Sequence, residues 1–260
     1  MSEDGNTGIE LHATHSVFGA ASALDGASVL AEARPTRQAR TRIVVVGEFN
    51  SGKTTLVNAL VGAPVLTPSV IAPTVHPTVV AFAARPSLSA EGADRRRTPL
   101  AWDRLDDVAP DDVRRLHVGV PLERLRQLSV VDTPGLGLAD GENDRRSLQA
   151  CRYADTVIWC TPAMQAWKAS EERAWLTLPA RVQARGFLAV TFADEIASPS
   201  DVGRLMERLR AEAGHYFRKV VLAEACAALA VAAGERPVRK QSRRTITPRT
   251  AIGVASAHLR

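Results

Sequence analysis

Short apolar runs alternate with segments of helical spacing along most of the chain. Residues 41–48, TRIVVVGE, are β-branched and apolar on both faces, which predicts a buried strand. KTTLVNALVG at 53–62 predicts a helix that Gly62 closes, with Pro64 behind it. The proline-rich stretch 66–77 predicts a loop, and TVVAFAA at 78–84 the next strand. Residues 85–98, RPSLSAEGADRRRT, read as an exposed polar insertion, and 103–119 as one or two short helices. LSVVDTPG at 128–135 is a strand ending in a turn, and 141–154 a helix. A strand at 155–163 and a helix at 170–178, capped by Ser170, follow. GFLAVTFAD at 186–194 is a strand, 200–217 a helix, 218–223 a last strand and 225–233 a closing helix. A further helix over 9–34, ended by Pro35, precedes all of these.

Strands alternating with helices predict an α/β domain, a mostly parallel sheet with helices on both faces. The expected division is an N-terminal helical extension at 1–40, a main domain at 41–234 and a basic tail at 235–260. Ligands of such sheets sit at the carboxyl ends of the strands.

Composition changes this picture little. With 45% hydrophobic and 23% charged residues, the 260-residue chain reads as globular. The net charge of +5 is concentrated: residues 236–249, RPVRKQSRRTITPR, hold six cationic groups and no acid. Such a tail suits an anionic membrane surface or a nucleic acid, or is simply solvated. Cys151, Cys160 and Cys226 lack C-x-x-C spacing, and the acidic start has no apolar core. A reducing, cytoplasmic location is expected, with at most peripheral contact at the inner face of the cell membrane. The six histidines are scattered without metal-ligand spacing, and the four tryptophans read as packing.

The chemistry is concentrated in GEFNSGKT, residues 47–54, which fits G-x-x-x-x-G-K-[ST] at every fixed position, between a strand and a helix. The backbone N–H groups of Gly47, Glu48, Phe49, Asn50, Ser51, Gly52, Lys53, Thr54 and Thr55 can curl around phosphate oxygens. Lys53 is placed to reach the β- and γ-phosphates, and the Thr54 hydroxyl to bind Mg²⁺. Asp132 and Gly135 form D-x-x-G at the end of a second strand, a carboxylate for Mg²⁺ and an N–H for the γ-phosphate. Thr191 and Asp194 stand where GTPases carry [NT]-K-x-D, whose aspartate accepts hydrogen bonds from guanine; Phe192 replaces the lysine.

With these residues in hand, RIVVVGEFNSGKTTLVNALVG, LTPSVIAPTVHPTVVAF, SVVDTPGLG and AVTFAD together resemble a dynamin-like GTPase of the bacterial type, over residues 42–194. The resemblance implies GTP and GDP as ligands with Mg²⁺, and GTP hydrolysis. It also implies a switch threonine on Mg²⁺, for which Thr74 and Thr78 both qualify, Thr74 the favoured one. Small GTPases place a catalytic glutamine where Leu136 stands; Phe49 holds the dynamin glutamine position. Asn50 matches the asparagine that places K⁺ in potassium-activated relatives. A homodimer or a paired GTPase subunit, and membrane contact, are the implied partners. Only about 65 residues follow Asp194, room for a neck helix and no stalk. The rival readings are an Era-like GTPase on RNA or ribosomes, and a nucleotide-binding subunit that does not hydrolyse.

Overall fold

The computed structural model describes residues 40–66, 76–102, 112–137 and 141–223. Nine strands form one sheet: β1 (Thr41–Gly47), β2 (Thr78–Phe82), β3 (Ser87–Glu91), β4 (Arg97–Pro99), β5 (Arg115–Val120), β6 (Leu128–Asp132), β7 (Thr156–Pro162), β8 (Gly186–Thr191) and β9 (Lys219–Leu222). Their order is β4-β3-β5-β2-β6-β1-β7-β8-β9. From β6 to β9 across β1, neighbours run parallel. β2 turns antiparallel against β6, and β5 lies parallel to β2. The described helices are α1 (Lys53–Val61), α2 (Glu142–Cys151), α3 (Ala169–Leu176), α4 (Ala180–Gln183) and α5 (Pro199–Ala213).

The central strands are apolar on both faces because both faces are covered. Ile43 and Val45 face α1, packing with Leu56, Leu60 and Val130. Val44 and Val46 face the other way, into a core with Trp159, Trp175, Met206 and Leu209. Trp159 and Trp175 meet edge to face with ring centroids 5.7 Å apart, so packing is indeed the role of Trp159, Trp167 and Trp175. Cys151 and Cys160 are buried free thiols, and burial pushes both above the usual thiol range.

Three expectations need correction. The stretch 85–98 is not a simple exposed insertion: β3 and β4 form a hairpin in which Leu88 and Glu91 are buried. The run 115–119 is not helical; it belongs to β5, parallel to β2, with Leu116 and Val118 buried. Both depend on non-local pairing that overrides local propensity. Glu91 holds this edge together, taking Arg114, Arg115 and His117 at 3.1, 3.3 and 2.8 Å. Third, Ser170 does not cap α3. Lys168 occupies the cap position, and its N–H donates to Glu171 Oε2 at 3.0 Å. The expected helices at 9–34 and 225–233, and the basic tail, lie outside the described residues.

Candidate functional site

β1 delivers the chain into the loop of Gly47–Gly52, and α1 begins at Lys53. Two glycines are needed for different reasons. A Cβ on Gly47 would lie 2.3 Å from the Cys160 carbonyl oxygen of neighbouring β7. Gly52 has φ +79°, the left-handed region that L side chains rarely adopt. Asn50 is left-handed too, at φ 58°, a conformation asparagine tolerates better than most residues.

The loop is clamped from three sides. Phe49 N–H donates to Leu136 O at 3.1 Å and Leu136 N–H to Gly47 O at 3.0 Å, tying it to the residue that follows the D-x-x-G turn. Gly135 permits this approach, since a Cβ there would sit 2.7 Å from Phe49 Cα. On a second side, Thr191 Oγ1 donates to Ser51 O at 2.9 Å. Thr191 is buried, so its hydroxyl supports the loop. On the third, Glu48 accepts from Ser170 Oγ at 2.9 Å and pairs with Lys168.

The Lys168 and Ser170 clamp was invisible in the sequence, because 122 positions separate Glu48 from Ser170. α3 is itself anchored by buried Glu171, which accepts from Trp159 Nε1 at 2.9 Å and Thr161 Oγ1 at 3.0 Å. Burial raises the Glu171 carboxyl above its usual range.

Inside the loop, the Lys53 ammonium donates to Glu48 O at 2.6 Å. Burial lowers its pKa, while Cys160, Asp132 and Glu48 oppose that. Thr54 Oγ1 donates to Asp132 Oδ2 at 2.7 Å, joining two residues 78 positions apart. Asp132 Oδ1 is buried with no hydrogen-bond partner. Desolvation raises the Asp132 carboxyl to about 6, against the Thr54 hydrogen bond and Lys53. An orphan carboxylate oxygen beside a hydroxyl is an oxygen donor set that fits a hard divalent cation. Among the described residues no cluster of three or more His, Cys, Asp or Glu side chains could hold a metal. Phosphate oxygens and water would therefore have to complete such a coordination shell, the usual habit of Mg²⁺.

Phe192 is left-handed at φ 57°, and its ring lies over Gly52, 3.2 Å from where a Cβ would stand. It thus packs on the phosphate loop. Asp194 follows on a short exposed turn, Ala193–Glu195, beyond β8. Of the two switch candidates, Thr78 is the first residue of β2, fully buried and opposite Asp132. Its hydroxyl donates to His76 O at 3.3 Å. Thr74 lies outside the described residues.

The profile of the dynamin family matches residues 43–194, from β1 through the turn at Asp194. This chain belongs to the dynamin family. Dynamin-like protein 2 of Campylobacter jejuni is 30% identical over 140 residues, 51% of this chain and 22% of that protein. The isoniazid-induced protein IniC of Mycobacterium tuberculosis is 32% identical over 124 residues, 45% of this chain and 25% of the other. The chain therefore spans about a quarter or less of the length of these relatives. A chain of an oligomerised bacterial dynamin pair, solved in work on membrane sensing and tethering, superposes with a TM-score of 0.55 at 22% identity. That alignment covers 72% of this chain and 31% of that one, and it supports the fold. The residues described above thus form a dynamin-family GTPase domain. Among the described residues no helix is long and apolar enough to cross a membrane.

Proposed function

We propose that this dynamin-family domain binds GTP with Mg²⁺ and hydrolyses it to GDP and phosphate. The observation that carries the reading is the Thr54–Asp132 pair with its orphan Oδ1, set beside the buried Lys53 ammonium. The loop amides from Gly47 to Thr55 hold the phosphates, and Lys53 shifts its donors from Glu48 O to the β- and γ-phosphates. Thr54 and Asp132 hold Mg²⁺, with Thr74 as a third ligand. Thr78 suits that part less, because a residue fixed in a strand ladder cannot move with the γ-phosphate. Bound Mg²⁺ neutralises charge on the phosphate oxygens. Asp194 selects guanine through its carboxylate.

Water adds to the γ-phosphorus as the bond to the β–γ bridging oxygen breaks, leaving GDP and inorganic phosphate. No side chain at Leu136 or Phe49 can polarise that water, so the loop backbone orients it. Asn50 would hold a K⁺ ion, which would supply the charge of an arginine finger, worth roughly 10³ to 10⁵ in rate. Turnover is expected to be much faster in KCl than in NaCl at equal ionic strength; equal rates would remove Asn50 from catalysis.

Dimerisation across the nucleotide face is the proposed mode of assembly. Phe49 and Met164 are exposed apolar residues, 51% and 72% accessible, and the bacterial dynamin pair is oligomerised. Specific activity should rise with protein concentration. Membrane association is the proposed context, tested by turnover with and without anionic liposomes; binding to RNA in place of liposomes would favour the ribosome-associated reading.

A further inference from the structure

A second cavity, of about 350 Å³, lies away from the phosphate loop. Five arginines line it: Arg42 of β1, Arg114 and Arg115 at the start of β5, and Arg145 and Arg146 of α2. Its floor is apolar, with Val79, Val113, Val131 and Ala150, and Tyr153 stands at its rim. Five guanidinium groups around one cleft repel one another, and each gives up part of its hydration. Burial lowers the Arg115 pKa; Glu91 opposes this, and the Arg114, Arg42 and Arg97 charges add to the lowering.

Among the described residues, two carboxylates are shared by several of these cations. Glu142 pairs with both Arg145 and Arg146, at 2.6 and 2.9 Å. Glu91 is shared among Arg97, Arg114, Arg115 and His117. Asp155 accepts from the Arg42 backbone N–H at 2.8 Å. Among the described residues no carboxylate pairs with the Arg42 guanidinium. Among the described residues, two carboxylates are thus shared by four of the cavity's five arginines, and Arg146 also contacts His76 Nδ1 at 3.3 Å.

We infer that this cavity is a second binding site, distinct from the nucleotide loop, for a small phosphate-bearing polyanion. Guanidinium forks match phosphate oxygens two at a time, and a converging set of them selects a multiply charged group over a single carboxylate. The apolar floor accepts an organic portion. Glu142 is the resident counter-ion, half-buried and open to solvent on one side, and an incoming phosphate takes its place on Arg145 and Arg146. The two sites share a strand: Val131 lines this cavity and Asp132 serves the nucleotide site.

The test uses inorganic pyrophosphate as the probe, titrated calorimetrically into the full chain. The phosphate loop is taken out of play in two ways, by saturating GDP and, separately, by Lys53→Ala. The second arm keeps the result independent of whether guanine nucleotides bind at all. Saturable one-to-one binding is expected in both. The double variant Arg42→Gln/Arg145→Gln should weaken it at least tenfold, with an unchanged melting temperature showing that the chain still folds. Glu142→Gln should tighten it several-fold by freeing two arginines, a gain that a merely destabilised protein cannot give. Vesicles containing phosphatidic acid form the last arm. Displacement of pyrophosphate assigns the site to a lipid headgroup, and no displacement assigns it to a soluble phosphate ester. Absence of saturable binding, or equal affinity in the double variant, overturns the inference.

Discussion

Lys53→Ala should weaken GTP binding about a thousandfold while leaving the chain folded. The ammonium is buried, and its one short bond is to the Glu48 carbonyl, 2.6 Å away. That bond lies within the loop; the charge Lys53 sets beside buried Asp132 is lost with it, so the variant should stay folded but melt somewhat lower. Toward a triphosphate the same group supplies two charge-assisted hydrogen bonds. At about 2 kcal/mol each these sum to roughly 4 kcal/mol, or three orders of magnitude in Kd. Calorimetry on the variant, with a melting curve beside it, measures both halves of the expectation. A variant that binds GTP as tightly as the parent would remove Lys53 from the site.

Asp132→Asn should have opposite effects on the free chain and on the nucleotide complex. In the free chain the carboxylate is buried, one oxygen is unpartnered, and its pKa rises from 3.8 to about 6. The folded chain thus keeps this proton to higher pH than the unfolded chain does. Stability from this group is full below about pH 4, falls as pH rises toward about 6, and is flat above. The loss at neutral pH is of the order of 3 kcal/mol, at 1.36 kcal/mol per unit. Asparagine removes that cost, and its carbonyl can still accept from Thr54. The nucleotide-free variant should therefore melt roughly 6–12 °C higher at pH 7 and no higher at pH 4. With Mg²⁺ and GTP the order reverses, because a neutral amide binds the cation more weakly than a carboxylate; turnover should fall about a hundredfold, the scale on which such metal-site changes act. Melting curves of both proteins at the two pH values, with and without Mg·GTP, check this. A lower melting point for the free variant at pH 7 would show that the buried charge is already compensated.

The phosphate loop was legible in the sequence because its chemistry needs contiguous residues. A run of amides curling round a phosphate, with a lysine and a threonine, can only come from one short stretch, and Gly47–Thr55 is that stretch. Asp132 was legible for a weaker reason, a strand end followed by Gly135 at fixed spacing. Glu48's partners were not, since Lys168 and Ser170 reach it from the start of α3, at least 120 positions away. Thr191 was read with the base-recognition residues, but its hydroxyl is turned to the Ser51 carbonyl. The hairpin of β3 and β4 and the strand β5 were misread because their stability lies in cross-strand partners such as Glu91 and His117, 26 positions apart. Local periodicity carries no trace of such pairs. The arginine-lined cavity was hidden for the same reason: Arg42 and Arg145 meet only after β1 and α2 have packed.

The most direct test of the central claim is calorimetric titration of the full chain with a non-hydrolysable GTP analogue in millimolar Mg²⁺. One equivalent should bind with a heat that is lost on chelating the Mg²⁺ and absent with the ATP analogue. Folded protein that gives no heat with the guanine analogue, or equal heat with the adenine one, would contradict the account.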